Sequence, residues 1–342
     1  MKTDLKKLSY LIVLIGIAVS LGVWPFDHRA VGAAAVDQPA TVETQLTFDE
    51  ATEYAPSFSP DGRMITYARM VMVDGRSMSK FWTMDLKGRH QRRLTATENK
   101  LDEWTPMWSP DGSNLVWCSG RTGNLDVWKV DRAGKLHTQL TSVAEADNFP
   151  IWRPDGKKIA FMSERGGESA IWVMNPDGSD LSRVSNRPTG DLGVSWSRDG
   201  KKLAYVAALN QEGLFHAGAW VINHKEPAAN GAIVIQDVAT GELKQITSGD
   251  HRDWYPMWSP KKDKIAFISD RSGNWDLWVM NGDGSQPAQL TFNGGLDKEP
   301  YWSPDGRSIV YVSERAGRWD VWLLDVEKTI ARRHVAHAQE RS

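Results

Sequence analysis

One short motif, met six times, constrains this chain more than anything else in it. It reads PSFSPDG at 56–62, PMWSPDG at 106–112, PIWRPDG at 150–156, VSWSRDG at 194–200, PMWSPKK at 256–262 and PYWSPDG at 300–306. With the aromatic as marker (Phe58, Trp108, Trp152, Trp196, Trp258, Trp302), successive copies lie 50, 44, 44, 62 and 44 residues apart. The underlying period is 44, with 6 extra residues in the first unit, at about 69–79, and 18 extra in the fourth, at about 207–232. A fixed period of this size belongs to chains built from supersecondary units that bury their apolar faces against one another.

Each unit has the same internal grammar. The PDG turn is followed by a β-branched and aromatic run such as KKIAFMS (157–163), DKIAFIS (263–269) or RSIVYVS (307–313). A loop leads to a third run, DVWKV (126–130), AIWVM (170–174) or DLWVM (276–280), and a second turn leads to a short segment ending QLT (139–141, 289–291). Strand-length runs separated by Asp-Gly and Pro turns, four to a unit, describe a propeller blade. The sixth unit runs through DVWLLD (320–325) and has no QLT after it, whereas Gln45-Leu46-Thr47 precedes the first unit. The expected fold is therefore all-β: a six-bladed β-propeller of four-stranded blades, its ring closed by the N-terminal strand so that no edge is left unpaired. The 17 Trp residues find their reason here, since twisted neighbouring sheets leave wedge-shaped gaps that large aromatics fill.

These segments resemble the repeats of the TolB-like propeller family, whose signature is x-P-x-W-S-P-D-G, then I-A-F-x-S-x-R, then D-[IL]-W-V-M, then Q-L-T. The resemblance runs over 45–325 and covers the propeller only. Residues 36–44 are too few for the α/β domain that precedes the propeller in TolB, and the chain has neither room for a peptidase domain nor a G-x-S-x-G nucleophile motif. The resemblance implies an interaction scaffold of the cell envelope and does not name a partner.

Three boundaries are expected: 1–35 a signal peptide or N-terminal membrane anchor, 36–326 the propeller, 327–342 a flexible tail. Lys2, Lys6 and Lys7 precede an apolar run from Leu8 to Trp24, and Ala33-Ala34-Ala35 offers a cleavage site. The run is also near the lower limit for spanning a bilayer, so the product is expected to be periplasmic or anchored to the outer side of the inner membrane, touching membrane only through that segment. A net charge of −2 gives no reason to expect nucleic acid as partner, and Cys118, the single cysteine, excludes an internal disulfide or a Cys-based metal site.

In such a blade the first-to-second and third-to-fourth connections share one face, here made of tight turns. The second-to-third and inter-blade connections share the other, which receives both insertions and is the expected functional face. Three residues before each first-strand Pro, or its equivalent Val194, stands an acid: Glu53, Glu103, Asp147, Asp191, Asp253 and Asp297. Six carboxylates at one channel mouth could bind calcium or another divalent cation or a cationic ligand. Alternatively each acid bonds neighbouring N–H groups or an arginine and fixes blade packing. Arg121, Arg165, Arg271 and Arg315 occupy equivalent loop positions in units two, three, five and six, and units one and four lack that residue. Tyr54, Trp104, Trp254, Tyr255, Trp275 and Trp319 lie in or beside loops of the same face and are candidates for partner binding. His216, His224 and His251 could meet as a metal site, although their spacing matches no recognised ligand pattern. No catalytic group stands out. The leading expectation is a scaffold that binds an envelope protein or peptide, and its rival is a metal-dependent carbohydrate-active lyase or hydrolase using the same face.

Overall fold

The computed structural model describes residues 42–95, 102–185, 189–208 and 231–339. They form six separate sheets of four antiparallel strands. The inner strands are Glu53–Phe58, Trp104–Trp108, Asp147–Trp152, Thr189–Trp196, Asp253–Trp258 and Leu296–Trp302. From each, the chain meanders outward through a second, third and outer strand before crossing to the next blade. Five sheets use consecutive strands, and the sixth takes its outer strand from Glu43–Gln45, which pairs Glu43 with Leu324 and Gln45 with Trp322. The N-terminal strand closes the ring.

Turn chemistry explains the repeated S-P-D-G. Gly62 sits at φ 68° and donates its N–H to the Ser59 carbonyl at 2.8 Å. The Ser59 hydroxyl donates to Asp61 Oδ1 at 2.6 Å, and the same oxygen accepts the Arg63 N–H at 3.1 Å. An Asx-type turn of this kind satisfies its own backbone and so stays short. The second strands form the core. Ile65 and Tyr67, Leu115 and Trp117, Ile159 and Phe161, Leu203 and Tyr205, Ile265 and Phe267, and Ile309 and Tyr311 are all fully buried. Both faces of these strands are covered, because each hydrophobic cluster spans two blades: Ile65 and Tyr67 of the first pack with Val310 and Val312 of the sixth.

The QLT threonine has a structural task. In every blade the hydroxyl oxygen at this position accepts the N–H of a third-strand residue: Val321 to Thr47, Phe81 to Thr95, Val127 to Thr141, Ile171 to Ser185, Ile233 to Thr247 and Leu277 to Thr291, at 2.8–3.3 Å.

The first insertion becomes a long hairpin, with second and third strands at Met64–Val73 and Arg76–Asp85 joined through Asp74 and Gly75. The segment expected as a tail holds a helix, Val326–Gln339, started by Asp325, whose Oδ1 accepts the Lys328 N–H at 3.0 Å. Its Thr329 is fully buried and Val326 nearly so. The leader or anchor expected over 1–35 lies outside the described residues, as does most of the fourth-unit insertion.

Candidate functional site

Each inner strand has its acid within two residues of its loop-face start and is interrupted two residues after that acid. Ala55, Thr105, Phe149, Tyr255 and Glu299 adopt φ between 44° and 55°, with Gly193 at 91°, and the pairing of every inner strand slips at that point. A left-handed non-glycine residue costs about 1 kcal/mol or more, so a bulge kept in all six blades is a built feature. Thr105, Phe149, Gly193, Tyr255 and Glu299 line the central channel there and narrow it to about 10 Å³, the space of one water. Glu299 Oε2 accepts the Ala55 N–H at 2.6 Å, which ties the last blade to the first across the channel wall.

The acids do not line that channel. Glu53, Glu103, Asp147, Asp253 and Asp297 are buried at the seams between blades, 0–2 % exposed. Arg165 Nη2 donates to both Asp147 oxygens at 3.0 and 2.8 Å, and Arg271 Nη2 to Asp253 Oδ1 at 2.8 Å. Arg121 Nη2 lies 3.8 Å from Glu103 Oε1. The first unit, read from sequence as lacking its arginine, fills the role from inside a strand: Arg69 Nε lies 3.6 Å from Glu53 Oε1. In the sixth, Arg315 turns away to Glu43 Oε2, at 2.8 Å, and Asp297 receives the Asn293 amide at 3.3–3.4 Å instead. The same five arginines stack on third-strand tryptophans Trp82, Trp128, Trp172, Trp278 and Trp322, 3.5–5.0 Å from the ring centres. A guanidinium held between an indole face and a carboxylate is a packing device.

Five of the six acids expected at the channel mouth thus lie in separate, enclosed inter-blade contacts. Among the described residues no three His, Cys, Asp or Glu side chains come together to hold a metal. The side chain of Asp191 is outside the described residues. Burial pushes the Glu53 carboxyl up to about 8 against the opposing pull of Arg69, and that of Asp297 up to about 7 against the hydrogen bonds of Ser313 and Thr291.

The six aromatic candidates divide in half. Tyr54, Trp104 and Trp319 are 3–8 % exposed and belong to the core; Tyr54 packs 5.8 Å from Trp104, and Lys298 Nζ lies 4.0 Å above Trp319. Tyr255 lines the channel constriction. Trp254 and Trp275, half-buried, stack at 4.1 Å with 25° between their planes. Arg252 lies over Trp275 at 4.8 Å and is fixed by Asp270, whose oxygens accept its Nε–H at 2.7 Å and its backbone N–H at 3.0 Å. His251 is exposed beside this patch, and His216 and His224 are outside the described residues. Sequence reasoning missed the bulges and Arg69. It also missed the second acid near the start of a third strand at Asp126, Asp276 and Asp320, although the repeated D-[VL]-W carried that signal.

A sequence family described as the TolB beta propeller domain matches residues 102–226 and 219–341. An uncharacterized protein of Agrobacterium fabrum, Atu1656, is 30% identical over 112 residues, 32% of this chain and 36% of that protein. The matched region thus spans about a third of that relative's length. Among solved structures, TolB from Acinetobacter baumannii superposes with a TM-score of 0.59 at 21% identity, over 75% of this chain and 59% of that one. An oligogalacturonate lyase in complex with manganese gives 0.54 at 16% identity, over 85% and 94%. At such identities the likeness is one of fold.

Proposed function

Because the chain belongs to the TolB β-propeller domain family, we propose that it is an exported binding module of the cell envelope that takes a protein or peptide partner on its loop face. Export rests on the basic start and apolar run of residues 2–24. The observation that carries the binding role is the Trp254–Trp275 stack with Arg252 beside it. Two half-exposed indoles, already fixed against each other, offer a large contact area at little cost in side-chain entropy, and Trp and Arg are the residues on which interface energy concentrates. The long hairpin of the first blade stands on the same face.

The test compares wild type with Trp254→Ala/Trp275→Ala for recovery of partners from envelope extracts. We expect the double variant to lose a partner that wild type and His251→Ala both retain, with the fold intact by circular dichroism. Stoichiometric manganese or calcium in the purified protein, lost in His251→Ala together with activity on a polysaccharide, overturns the reading in favour of a metal-dependent carbohydrate-active enzyme.

A further inference from the structure

On the face opposite the loops, which the sequence presents as short turns, the inner strands end around a bowl of about 210 Å³. Its wall carries the marker aromatics, Trp108, Trp152, Trp196, Trp258 and Trp302 among them. Met257 and Tyr301 line both this bowl and the constriction beyond it, so the bowl is the turn-face mouth of the channel, closed at its inner end. A volume below the usual range for a drug-sized ligand suits one large side chain.

The rim is lopsided. The turn residues that reach it are Pro154, Arg198 and Pro260, from units three, four and five. Over 153–158, 197–202 and 259–264 those units carry nine Lys or Arg against three Asp, a formal +6. The corresponding stretches of units one, two and six (59–64, 109–114, 303–308) carry two Arg against three Asp, a formal −1. Acids outside these stretches answer part of the excess, Lys158 pairing with Asp180 and Lys262 with Glu327, both at 2.5 Å, while Arg153 pairs with Asp155 of its own turn at 2.7 Å. Exposed Lys157, Arg198, Lys201 and Lys261 have no acid within ion-pairing distance among the described residues. Arg198 Nη1 instead donates to the Lys261 carbonyl at 3.2 Å, holding its charge at the junction of two turns on the bowl's edge.

An apolar concavity beside an excess of one charge focuses the field toward its mouth and selects a partner of opposite sign. The geometry points to a second docking site, distinct from the loop face: the turn-face bowl takes one apolar side chain of an acidic peptide segment, whose carboxylates lie along the basic arc of blades three to five. The pentapeptide with phenylalanine between two pairs of acidic residues is the probe, with binding read by calorimetry at low and high salt.

We expect the probe to bind wild type, to weaken steeply with salt, and to weaken about tenfold or more in Arg198→Glu/Lys261→Glu. Its amide (Asn/Gln) and Ala-for-Phe analogues should each bind about tenfold more weakly, showing that charge and anchor are both read. Both substituted residues are exposed, and an unchanged melting temperature certifies the fold. Equal binding of the amide analogue, or no change in the charge-reversed variant, overturns the proposal. So does capture of phosphatidylglycerol vesicles with no binding of the probe, which would assign the arc to phosphate headgroups. Trp254→Ala/Trp275→Ala should leave the probe's affinity unchanged, so this site stands or falls apart from the loop-face partner.

Discussion

Trp108 and Trp152 hold the same position in neighbouring blades and meet different partners. The Trp108 indole N–H donates to Thr66 Oγ1 of the preceding blade at 2.9 Å, whereas the Trp152 N–H is buried without an acceptor. The residue standing where Thr66 stands is Val116: Thr66 faces Ser57 across its strand pair as Val116 faces Met107, and Val116 packs with Trp152. A buried hydroxyl normally costs about 1–3 kcal/mol when nothing meets it, and a buried unpaired N–H costs about the same. Val116→Thr should bring the two together and change stability by no more than about 0.5 kcal/mol. Val310→Thr is the control, since the equivalent neighbour there is Phe58, which has no N–H to offer. It should lose about 1–2 kcal/mol in urea unfolding. Equal losses in the two variants would show that the Trp152 N–H does not reach the new hydroxyl.

At the scale of elements, the seam between blades is where sequence variation has consequences. The third-strand residue beside each QLT hydroxyl is Lys80, Asp126, Ala170, Ala232, Asp276 or Asp320 around the ring. Where it is Asp, a second carboxylate joins the inner-strand acid: Thr47 Oγ1 touches Glu53 at 3.1 Å and Asp320 at 3.2 Å. Where it is Lys80, the buried pair has opposite signs, Nζ lying 3.9 Å from Glu103 Oε1. Burial raises Asp276 to about 6, Asp297 to about 7 and Glu53 to about 8. Carboxyls raised in the folded protein bind protons that the unfolded chain has released. Their stabilisation is complete below the unfolded values near 4 and is lost as pH climbs through 6, 7 and 8. The turn-face acids do not offset this, because Asp111, held down to about 2 by the Ser109 hydroxyl, is ionised in both states over that window. Urea unfolding should therefore show stability falling from pH 5 to 8, and Asp297→Asn should flatten the slope; an unchanged slope would place the titration elsewhere. The blades were legible because turns and markers recur at a fixed spacing. The seams were not, since Arg69 reaches Glu53 from within a strand rather than from the loop position that the other arginines share. Nor does spacing tell that Trp104 and Trp319 are enclosed while Trp254 and Trp275 stay half-exposed, because that depends on how neighbouring blades lean together.

For the molecule as a whole, everything depends on a strand three residues long. Glu43–Gln45 completes the sixth blade, and the residues after it bind three neighbours at once. Leu46 is fully buried and donates its N–H to the Val321 carbonyl at 2.8 Å. Its own carbonyl packs against Gly88 of the first blade, where a Cβ would come within 2.2 Å and φ is +73°. Thr47 then links the third strand of the last blade to Glu53 of the first, and Glu43 pairs with Arg315 at 2.8 Å. Upstream, the Val42 carbonyl accepts the Asp325 N–H at 3.0 Å, and its N–H meets Thr329 Oγ1 of the C-terminal helix at 3.4 Å. An open array of repeats loses one interface when its end is trimmed, but a ring loses its closure, and every seam then shares the strain. Deleting 36–48 removes a fully buried leucine, worth about 1.5–3 kcal/mol, and leaves buried carboxylates short of a donor at about 1–3 kcal/mol more. That sum is a large part of the total stability of an ordinary domain. Tryptophans in every blade make intrinsic fluorescence a probe of the whole disc. The truncated protein should unfold in one transition at a clearly lower urea concentration, and Gly88→Ala, which keeps the strand but crowds its seat, should fall between it and wild type. Two resolved transitions, with one at the wild-type midpoint, would mean that the sixth blade melts alone and that the other blades do not need the ring.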